Sequence, residues 1–392
     1  MPHVEPAFDE ISHELIEQLR MRRRIGDTKI IDRINQEQPD LVGLSFLSTT
    51  SYPYAKILAR EIRATNQNVK LAFGGVFASL NASLVKLQCP EVDFVCRGDG
   101  EQLLLDLLAN FENPQAVASL TWMKNGQVVQ NPNRAMERQL DQWPFPDRES
   151  LKLDYVESMP LDVPVVLSMD RFTTMQTSRG CPWPCIFCDI PIFNEGKWRA
   201  RSPQHVVAEM KHLEELGYKS VGFVDDHFLL QPKRIDAICQ GVMDAKLRIQ
   251  WGIEGRVDSV AQHLFPAMAK AHCRTVMFGI ESGSQKILDR LKKEQTLEEV
   301  ATAVKNAKQA GIDYLQALAR SQEKEGGTFL DINVDEFSTD IAEREQLIGW
   351  AVGIVQQAST LPMSIDSSNM QILRAGLAAC DRSRGKPLIN SV

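Results

Sequence analysis

No apolar run in the 392-residue chain approaches the ~20 residues that a membrane-crossing helix needs. The longest, such as Val163–Leu167, are a few residues long. Nor is there an excess of positive charge: 44 basic residues face 51 acidic ones, a net charge of −7, which argues against a chain built to hold a phosphate backbone. Met1–Asp9 has no basic-then-apolar signal pattern, so the expectation is a soluble cytoplasmic protein with no nucleic acid or membrane partner. Glycine and proline, 23 and 19 residues, are too few for a collagen-like or low-complexity chain. Cysteine is sparse outside one place. Cys89, Cys96, Cys239, Cys273 and Cys380 stand singly in apolar or helical surroundings and read as buried, reduced thiols. Cys181, Cys185 and Cys188 fall within eight residues.

Along the chain, apolar strands alternate with amphipathic helices. Glu10–Asn35 reads as helix, with the arginine-rich stretch Arg20–Arg24 on a solvated face. Asp40–Phe46, Val69–Phe73 and Val92–Cys96 read as strands, and Tyr54–Ala64 and Gln102–Asn110 as helices. The strands end in Ser or Gly, so a ligand would meet backbone at the carboxyl edge of a parallel sheet. Asn125-Gly126 marks a small hairpin and Asp141–Asp147 a proline-punctuated linker. From Arg171 a second βα series begins. Its strands are Ser220–Val224, Ile249–Gly252 and Thr275–Ile280, and its last helix is capped by Thr296 and stops at Gly311. The repeat of ~25–30 residues predicts a closed or partial parallel barrel. After Tyr314, strands are expected at Phe329–Val334, Pro362–Asp366 and Pro387–Ser391.

Arg179-Gly-Cys-Pro-Trp-Pro-Cys-Ile-Phe-Cys188 has the spacing CxxxCxxC. Three thiolates on a tight loop suit three corners of an iron–sulfur cube and leave the fourth iron open. Zinc and buried thiols are the alternatives. Structural zinc usually takes four ligands, and the nearest extra candidates, Asp189 and His205, complete no familiar spacing.

With Phe187 before the third cysteine, this motif resembles the radical S-adenosylmethionine (SAM) superfamily. The likeness runs from about Thr173 to Gly311 and includes Val224-Asp-Asp-His-Phe228, Glu254-Gly-Arg-Val-Asp258 and Phe278-Gly-Ile-Glu-Ser-Gly283. The resemblance implies a four-iron four-sulfur cluster on Cys181, Cys185 and Cys188, with SAM chelated by the unique iron and split to a 5′-deoxyadenosyl radical. It implies Phe187 near the adenine, and Asp225, Arg256, Glu281 and Ser282 lining the SAM pocket. His227 reads either as a ligand or acid–base group or as a structural histidine.

The front region resembles the cobalamin-binding domain that precedes this core in one large subclass, through Pro39-Asp-Leu-Val-Gly-Leu-Ser45, Ala72-Phe-Gly-Gly75 and Arg97-Gly-Asp-Gly-Glu101. The resemblance places Ser45, Ser48, Thr49, Gly74 and Gly75 against the corrin. There is no DxHxxG motif, so a histidine lower ligand is not expected. The tail, through Ala319–Gly327, Leu330–Val334, Ser364–Ser367 and Lys386–Ser391, resembles part of the pterin-binding barrel of methyltetrahydrofolate methyltransferases. Asp331, Asn333, Asp366 and Asn390 would then meet a pterin ring, although so short a segment is not expected to bind methyltetrahydrofolate by itself.

The expected fold is therefore α/β throughout: a Rossmann-like cobalamin-binding domain (1–115), a linker with a small hairpin (116–165), a partial (β/α) radical SAM barrel (166–313) and an incomplete pterin-binding (β/α) segment (314–392). The expected function is methyl transfer to an unactivated carbon or phosphorus of a small molecule, with an electron donor such as flavodoxin or ferredoxin. The alternatives are a cyclase of the anaerobic tetrapyrrole type and an inactive corrinoid- or pterin-binding fragment. An RNA methylthiotransferase is disfavoured by the absence of a second cysteine triplet and of a basic tail.

Overall fold

The structure, a computed structural model, describes residues 30–149, 171–335 and 337–390. Most of the helix expected over Glu10–Asn35, with its arginines, and the run Val163–Leu167 lie outside these residues; residues 30–37 are helical (α1). The chain divides into two compact units.

The first unit takes the residues up to Trp143 together with Phe187–Lys197. Its elements are β1 (Leu41–Ser45), α2 (Tyr52–Thr65), β2 (Lys70–Gly74), α3 (Val76–Leu80), α4 (Ala82–Gln88), β3 (Phe94–Cys96), α5 (Glu101–Ala109), β4 (Leu120–Lys124), β5 (Gln127–Gln130) and α6 (Ile190–Phe193). The five strands form one sheet in sequence order. β1, β2 and β3 are parallel, and β4 joins antiparallel through Val95↔Thr121. The hairpin expected in a linker therefore extends the front sheet. Burial explains this: Val117 and Leu120 complete a core with Phe94, Leu103 and Leu107. Asn125 and Gly126 turn the hairpin with φ of 51° and 78°, the left-handed pair that a two-residue turn requires. Under α2, Phe73 meets Phe46 edge-on at 5.2 Å. The short α6 packs on α3.

The second unit holds Pro144–Ile186 and everything from Trp198. It opens with β6 (Phe172–Met175), β7 (Ser178–Arg179), β8 (Arg199–Ala200), α7 (Pro203–Glu215), β9 (Ser220–Phe223), α8 (Pro232–Asp244), β10 (Gln250–Gly255), α9 (Phe265–Lys270), β11 (Cys273–Phe278) and α10 (Gln285–Arg290). β6, β9, β10 and β11 form a parallel four-stranded arc in that spatial order, the partial barrel expected. Strand alternation sends Val221, Phe223, Trp251 and Ile253 into the core shared with the helices and leaves Gly222, Gly252 and Glu254 on the other face. Trp251 is fully buried, stacks on Phe223 at 5.1 Å and donates its Nε1–H to the Ala271 carbonyl at 2.6 Å.

The helix expected to stop at Gly311 does not. α11 runs from Leu297 to Lys324, opened by a capping box between Thr296 and Glu299. A glycine inside a helix costs only about 1 kcal/mol, and packing on both sides exceeds that. Ala307 and Ala310 lie on the arc's core, Ala319 lies on the tail's core, and Tyr314 sits under the Arg274 guanidinium at 4.2 Å. The expected boundary between residues 313 and 314 therefore falls inside one continuous helix. The helix ends at Gly326, whose φ is +91°, where Gly326 and Gly327 donate to the carbonyls of Glu323 and Gln322. Limited proteolysis of the native chain is expected to cut first at Gly326–Gly327 and to spare Gly311–Leu315; mass spectrometry of early fragments checks this, and a first cut at 311–315 would contradict the continuous helix.

Beyond it come β12 (Leu330–Asn333), α12 (Ile341–Gln356), β13 (Met363–Asp366), α13 (Met370–Ala379) and β14 (Leu388–Asn390), a parallel three-stranded sheet in sequence order. An incomplete parallel barrel would by itself leave apolar strand residues open. Leu330, Ile332 and Ile365 are instead buried, because α12 and α13 cover them. Gly376 lets α13 approach closely: a Cβ there would come within 2.7 Å of Ile365. Only β14 stays open, with Leu388 and Ile389 about half exposed, 47% and 49%.

Candidate active site

The cysteine loop leaves the arc at β7, which pairs with β8 through Ser178↔Ala200. Gly180 takes φ +89°, a turn that favours glycine, and its N–H donates to Asp226 Oδ2 at 2.6 Å. One residue earlier on β9's carboxyl end, Asp225 accepts three hydrogen bonds: from Thr177 N at 2.6 Å, Thr177 Oγ1 at 2.5 Å and Ser178 Oγ at 2.5 Å. Arg234 adds a fourth tie, donating to the Thr177 carbonyl at 2.8 Å. Asp225 is thus turned inward, 1% exposed, and anchors the loop's root where the sequence reading had it lining a SAM pocket. Burial pushes its carboxyl above the usual range despite the three donors. Burial and neighbouring carboxylates do the same to Asp226 and Glu254.

Cys181, Cys185 and Cys188 are each partly exposed. Cys181 and Cys185 belong to the second unit; the chain passes into the first at Phe187, so Phe187 and Cys188 are placed there. Ile186 N–H donates to the Leu291 carbonyl at 3.1 Å, fixing the loop's middle to the end of α10. Among the described residues, no three His, Cys, Asp or Glu side chains converge on one ion. A four-iron cube asks something else, one thiolate on each of three irons. Accessible thiols on a short loop and a cation beside one of them fit that donor set. The single cysteines differ: burial pushes Cys89, Cys96 and Cys239 up to about 12, so they stay protonated.

Arg256, expected in the SAM pocket, is 5% exposed. Its Nε and Nη2 hold Asp258 in a fork at 2.9 and 2.8 Å. Nη2 also donates to the Lys293 carbonyl. Nη1 points at Cys185 Sγ, 3.6 Å away, and the guanidinium lies 4.2 Å from the centre of the Trp183 ring. Glu281 takes φ +68° and accepts from Lys293 Nζ at 2.8 Å. Ser282 Oγ accepts from Ser284 N at 3.1 Å. His227 is 1% exposed. Burial and the nearby Arg256 push it down to about 4, which leaves a neutral imidazole, and its carbonyl accepts from Trp198 Nε1 at 3.2 Å. The sequence reading missed Thr177, Trp183, Asp226, Asp258 and Lys293. Asp226 and Asp258 stand in the motifs quoted for their neighbours; Lys293, between helices, had no such signal.

In the first unit, the expected corrin-facing residues share the carboxyl edge of β1 and β2. Ser45 pairs with Gly74 in register. Ser48 Oγ and Thr50 Oγ1 are 2.8 Å apart, and Thr49 opens a short 3-10 turn. A Cβ on Gly74 would meet nothing within 4 Å, nor would one on Gly98 or Gly100. Gly75 is different: its φ is +91° and a Cβ would lie 2.2 Å from the Phe46 carbonyl oxygen. The edge therefore has an open glycine floor, which fits a broad flat ligand such as a corrin. The described residues of this unit contain no histidine. In the tail, the four expected pterin-facing residues lie on β12, β13 and β14 and pair with one another: Asn333 Nδ2 donates to Asp366 Oδ2 at 2.9 Å and Asn390 Nδ2 to Asp331 Oδ1 at 3.4 Å.

A parallel βα arc that carries a cysteine loop after its first strand, preceded in sequence by a sheet with a glycine edge, is the arrangement expected of a radical SAM enzyme with a cobalamin-binding domain, and comparison with known proteins agrees. Residues 175–319 match the radical SAM superfamily, 13–108 the B12 binding domain and 301–392 the pterin binding enzymes. The chain belongs to the radical SAM superfamily, in the form that carries a preceding B12-binding domain, and its last segment is similar to part of the pterin binding enzymes. The radical SAM domain implies a four-iron four-sulfur cluster and SAM, and the B12-binding domain implies cobalamin. The radical SAM and pterin-binding matches overlap over residues 301–319, inside α11. An uncharacterized methyltransferase of Pyrococcus horikoshii is 32% identical over 75% of this chain and 66% of its own length. The anaerobic magnesium-protoporphyrin IX monomethyl ester cyclase of Rubrivivax gelatinosus is 26% identical over 74% of this chain and 53% of its own. The chain thus spans between about half and two thirds of these relatives. The radical SAM methyltransferase TsrM from Kitasatospora setae, solved with cobalamin and a [4Fe-4S] cluster, has a TM-score of 0.59 at 15% identity, covering 84% of this chain and 68% of that one, a likeness of fold. No helix of the described residues is long and apolar enough to cross a membrane.

Proposed function

We propose that this chain is a cobalamin-dependent radical SAM methyltransferase acting on an unactivated carbon or phosphorus of a small molecule, with electrons from a flavodoxin- or ferredoxin-type donor. The observation that carries the reading is the anchored cysteine loop. Asp225 and Asp226 hold its root through Thr177, Ser178 and Gly180, and Arg256 and Trp183 brace its middle. Such bracing fixes the loop's root and the stretch around Cys185 before anything binds, which lowers the ordering cost of assembly.

The bound cofactors would supply one-electron cleavage of SAM and a methyl carrier; the chain's residues supply placement. Cys181, Cys185 and Cys188 would hold the cluster. Phe187, Glu281 and Ser282 remain the candidates for contacting SAM, with Lys293 fixing the Glu281 carboxylate. Ser45, Ser48, Thr49 and the open floor at Gly74 would seat the corrin. Asp331, Asn333, Asp366 and Asn390, already paired to one another, are not assigned methyltetrahydrofolate. The methyltransferase name of the Pyrococcus relative favours methyl transfer; the Rubrivivax relative supports a cyclase as the second reading.

The test is anaerobic reconstitution of the full chain with iron, sulfide and hydroxocobalamin, then dithionite and SAM. Slow release of 5′-deoxyadenosine and a methylated corrinoid are expected. Deoxyadenosine without corrinoid methylation would favour the cyclase reading. In the same assay, Gly74→Phe should weaken hydroxocobalamin binding at least tenfold with the fold intact, because the added ring occupies open space. Unchanged binding in that variant would remove the β2 edge from the corrin site.

A further inference from the structure

Arg256 is buried, and most of its hydrogen-bonding capacity is committed. The fork to Asp258 uses Nε and Nη2 at 2.9 and 2.8 Å, and the Lys293 carbonyl shares Nη2. That arrangement fixes the guanidinium plane, since a bidentate carboxylate sets both distance and orientation. Trp183 lies against the plane at 4.2 Å, where a cation gains from the ring's negative face. What remains is Nη1, and it points at Cys185 Sγ at 3.6 Å. Arg256, Trp183, Cys185 and Asp258 all lie in the second unit. A side chain held this way has little left to give a SAM carboxylate. Of the two N–H donors on Nη1, one faces the Cys185 sulfur.

We infer that Arg256 is a positioning residue for the cluster, and that its Nη1–H···Sγ contact with Cys185 raises the cluster's reduction potential. The inference rests on the proposed cluster ligation. Hydrogen bonds to cluster sulfurs and local charge are among the levers that set such potentials. An N–H on a thiolate sulfur withdraws electron density, and the guanidinium charge favours the more negative, reduced cluster. Asp258 opposes part of that charge, so the two residues are expected to act in opposite directions. Lysine cannot replace the arginine: it has no fork to hold Asp258 at two points while aiming a third donor at sulfur.

The experiment is an anaerobic redox titration of the reconstituted full chain without SAM, followed by electron paramagnetic resonance of the reduced cluster, with iron content measured in parallel. Arg256→Met should keep its iron and lower the reduction equilibrium about tenfold, a fall of about 59 mV for one electron. Arg256→Lys should fall by less, and Asp258→Asn should rise. A midpoint unchanged in Arg256→Met, with iron retained, overturns the inference. If Arg256→Met takes up no iron, Arg256→Lys decides: a wild-type midpoint overturns the inference, and a lowered one supports it. Loss of iron in both arginine variants also overturns it, because Arg256 would then build the loop rather than set its potential. A wild-type chain that takes up no iron sinks the cluster assignment itself, an outcome distinct from a cluster whose potential ignores Arg256.

Discussion

Replacing any one of Cys181, Cys185 or Cys188 with alanine is expected to remove the cluster altogether. Reconstituted wild-type protein should carry about four irons per chain and absorb broadly near ~400 nm, as thiolate-ligated clusters do. Each variant should lose both signals. A cube already open at one iron loses a further anchor with each missing thiolate, and no nearby cysteine can substitute. Cys239 is the control: it is fully buried in the arc's core, burial pushes its thiol up to about 12, and Cys239→Ala should leave iron content unchanged. Iron analysis and absorption spectra check both expectations. Zinc in place of iron after anaerobic purification, with no cluster on reconstitution, would return the loop to the zinc alternative.

The second large effect is expected at Asp225. Asp225→Ala leaves the Thr177 N–H and two hydroxyls without their acceptor in a buried place, and each buried polar group left unpaired costs about 1–3 kcal/mol. The loss should reach about 3 kcal/mol or more in a thermal or denaturant melt, with poor iron uptake because the loop loses its root. Asp225→Asn should recover much of this, since the amide oxygen still accepts from Thr177 N and the hydroxyls can rotate to meet its nitrogen. The pH dependence has a definite sign. Burial raises the folded-state carboxyl above its ordinary value, so the folded chain binds this proton more tightly than the unfolded chain. The stability Asp225 contributes is then fullest at low pH and falls as pH rises through the folded value. Asparagine does not titrate, so the gap between wild type and Asp225→Asn should narrow from about pH 4 to pH 7. A gap that widens with pH would contradict the raised carboxyl. An Asp225→Ala variant with wild-type stability and iron uptake would remove the residue from the loop's support.

Local pattern was enough for much of the molecule. The CxxxCxxC spacing identifies the cysteine loop because the three cysteines are close in sequence, and the chain between them cannot separate them far. The strands expected at Ser220–Val224, Ile249–Gly252 and Thr275–Ile280 overlap β9, β10 and β11, because a short apolar run between helices is a local signal. Thr296 marked a helix start that the structure keeps, since a cap depends on three neighbouring residues.

What failed depended on distant contacts. Gly311 looks like a helix stop by propensity alone, and only Ala310, Tyr314 and Ala319, packed on cores either side of it, show why α11 continues. The hairpin at Asn125 gave no sign of its partner, because Val95↔Thr121 joins residues 26 positions apart. Asp225 and Arg256 stood out by motif position, but the direction of their side chains did not. Motif position set both near the cluster loop. Tertiary structure decided where each side chain turns: Asp225 to Thr177 and Ser178, 48 and 47 residues away, and Arg256 to Cys185, 71 residues away. Sequence alone thus determined most of the elements and the spacing of the three cysteines, because both are local. The direction of each supporting side chain was left to the fold, because buried polar groups must find partners, and only the packed chain brings those partners within reach.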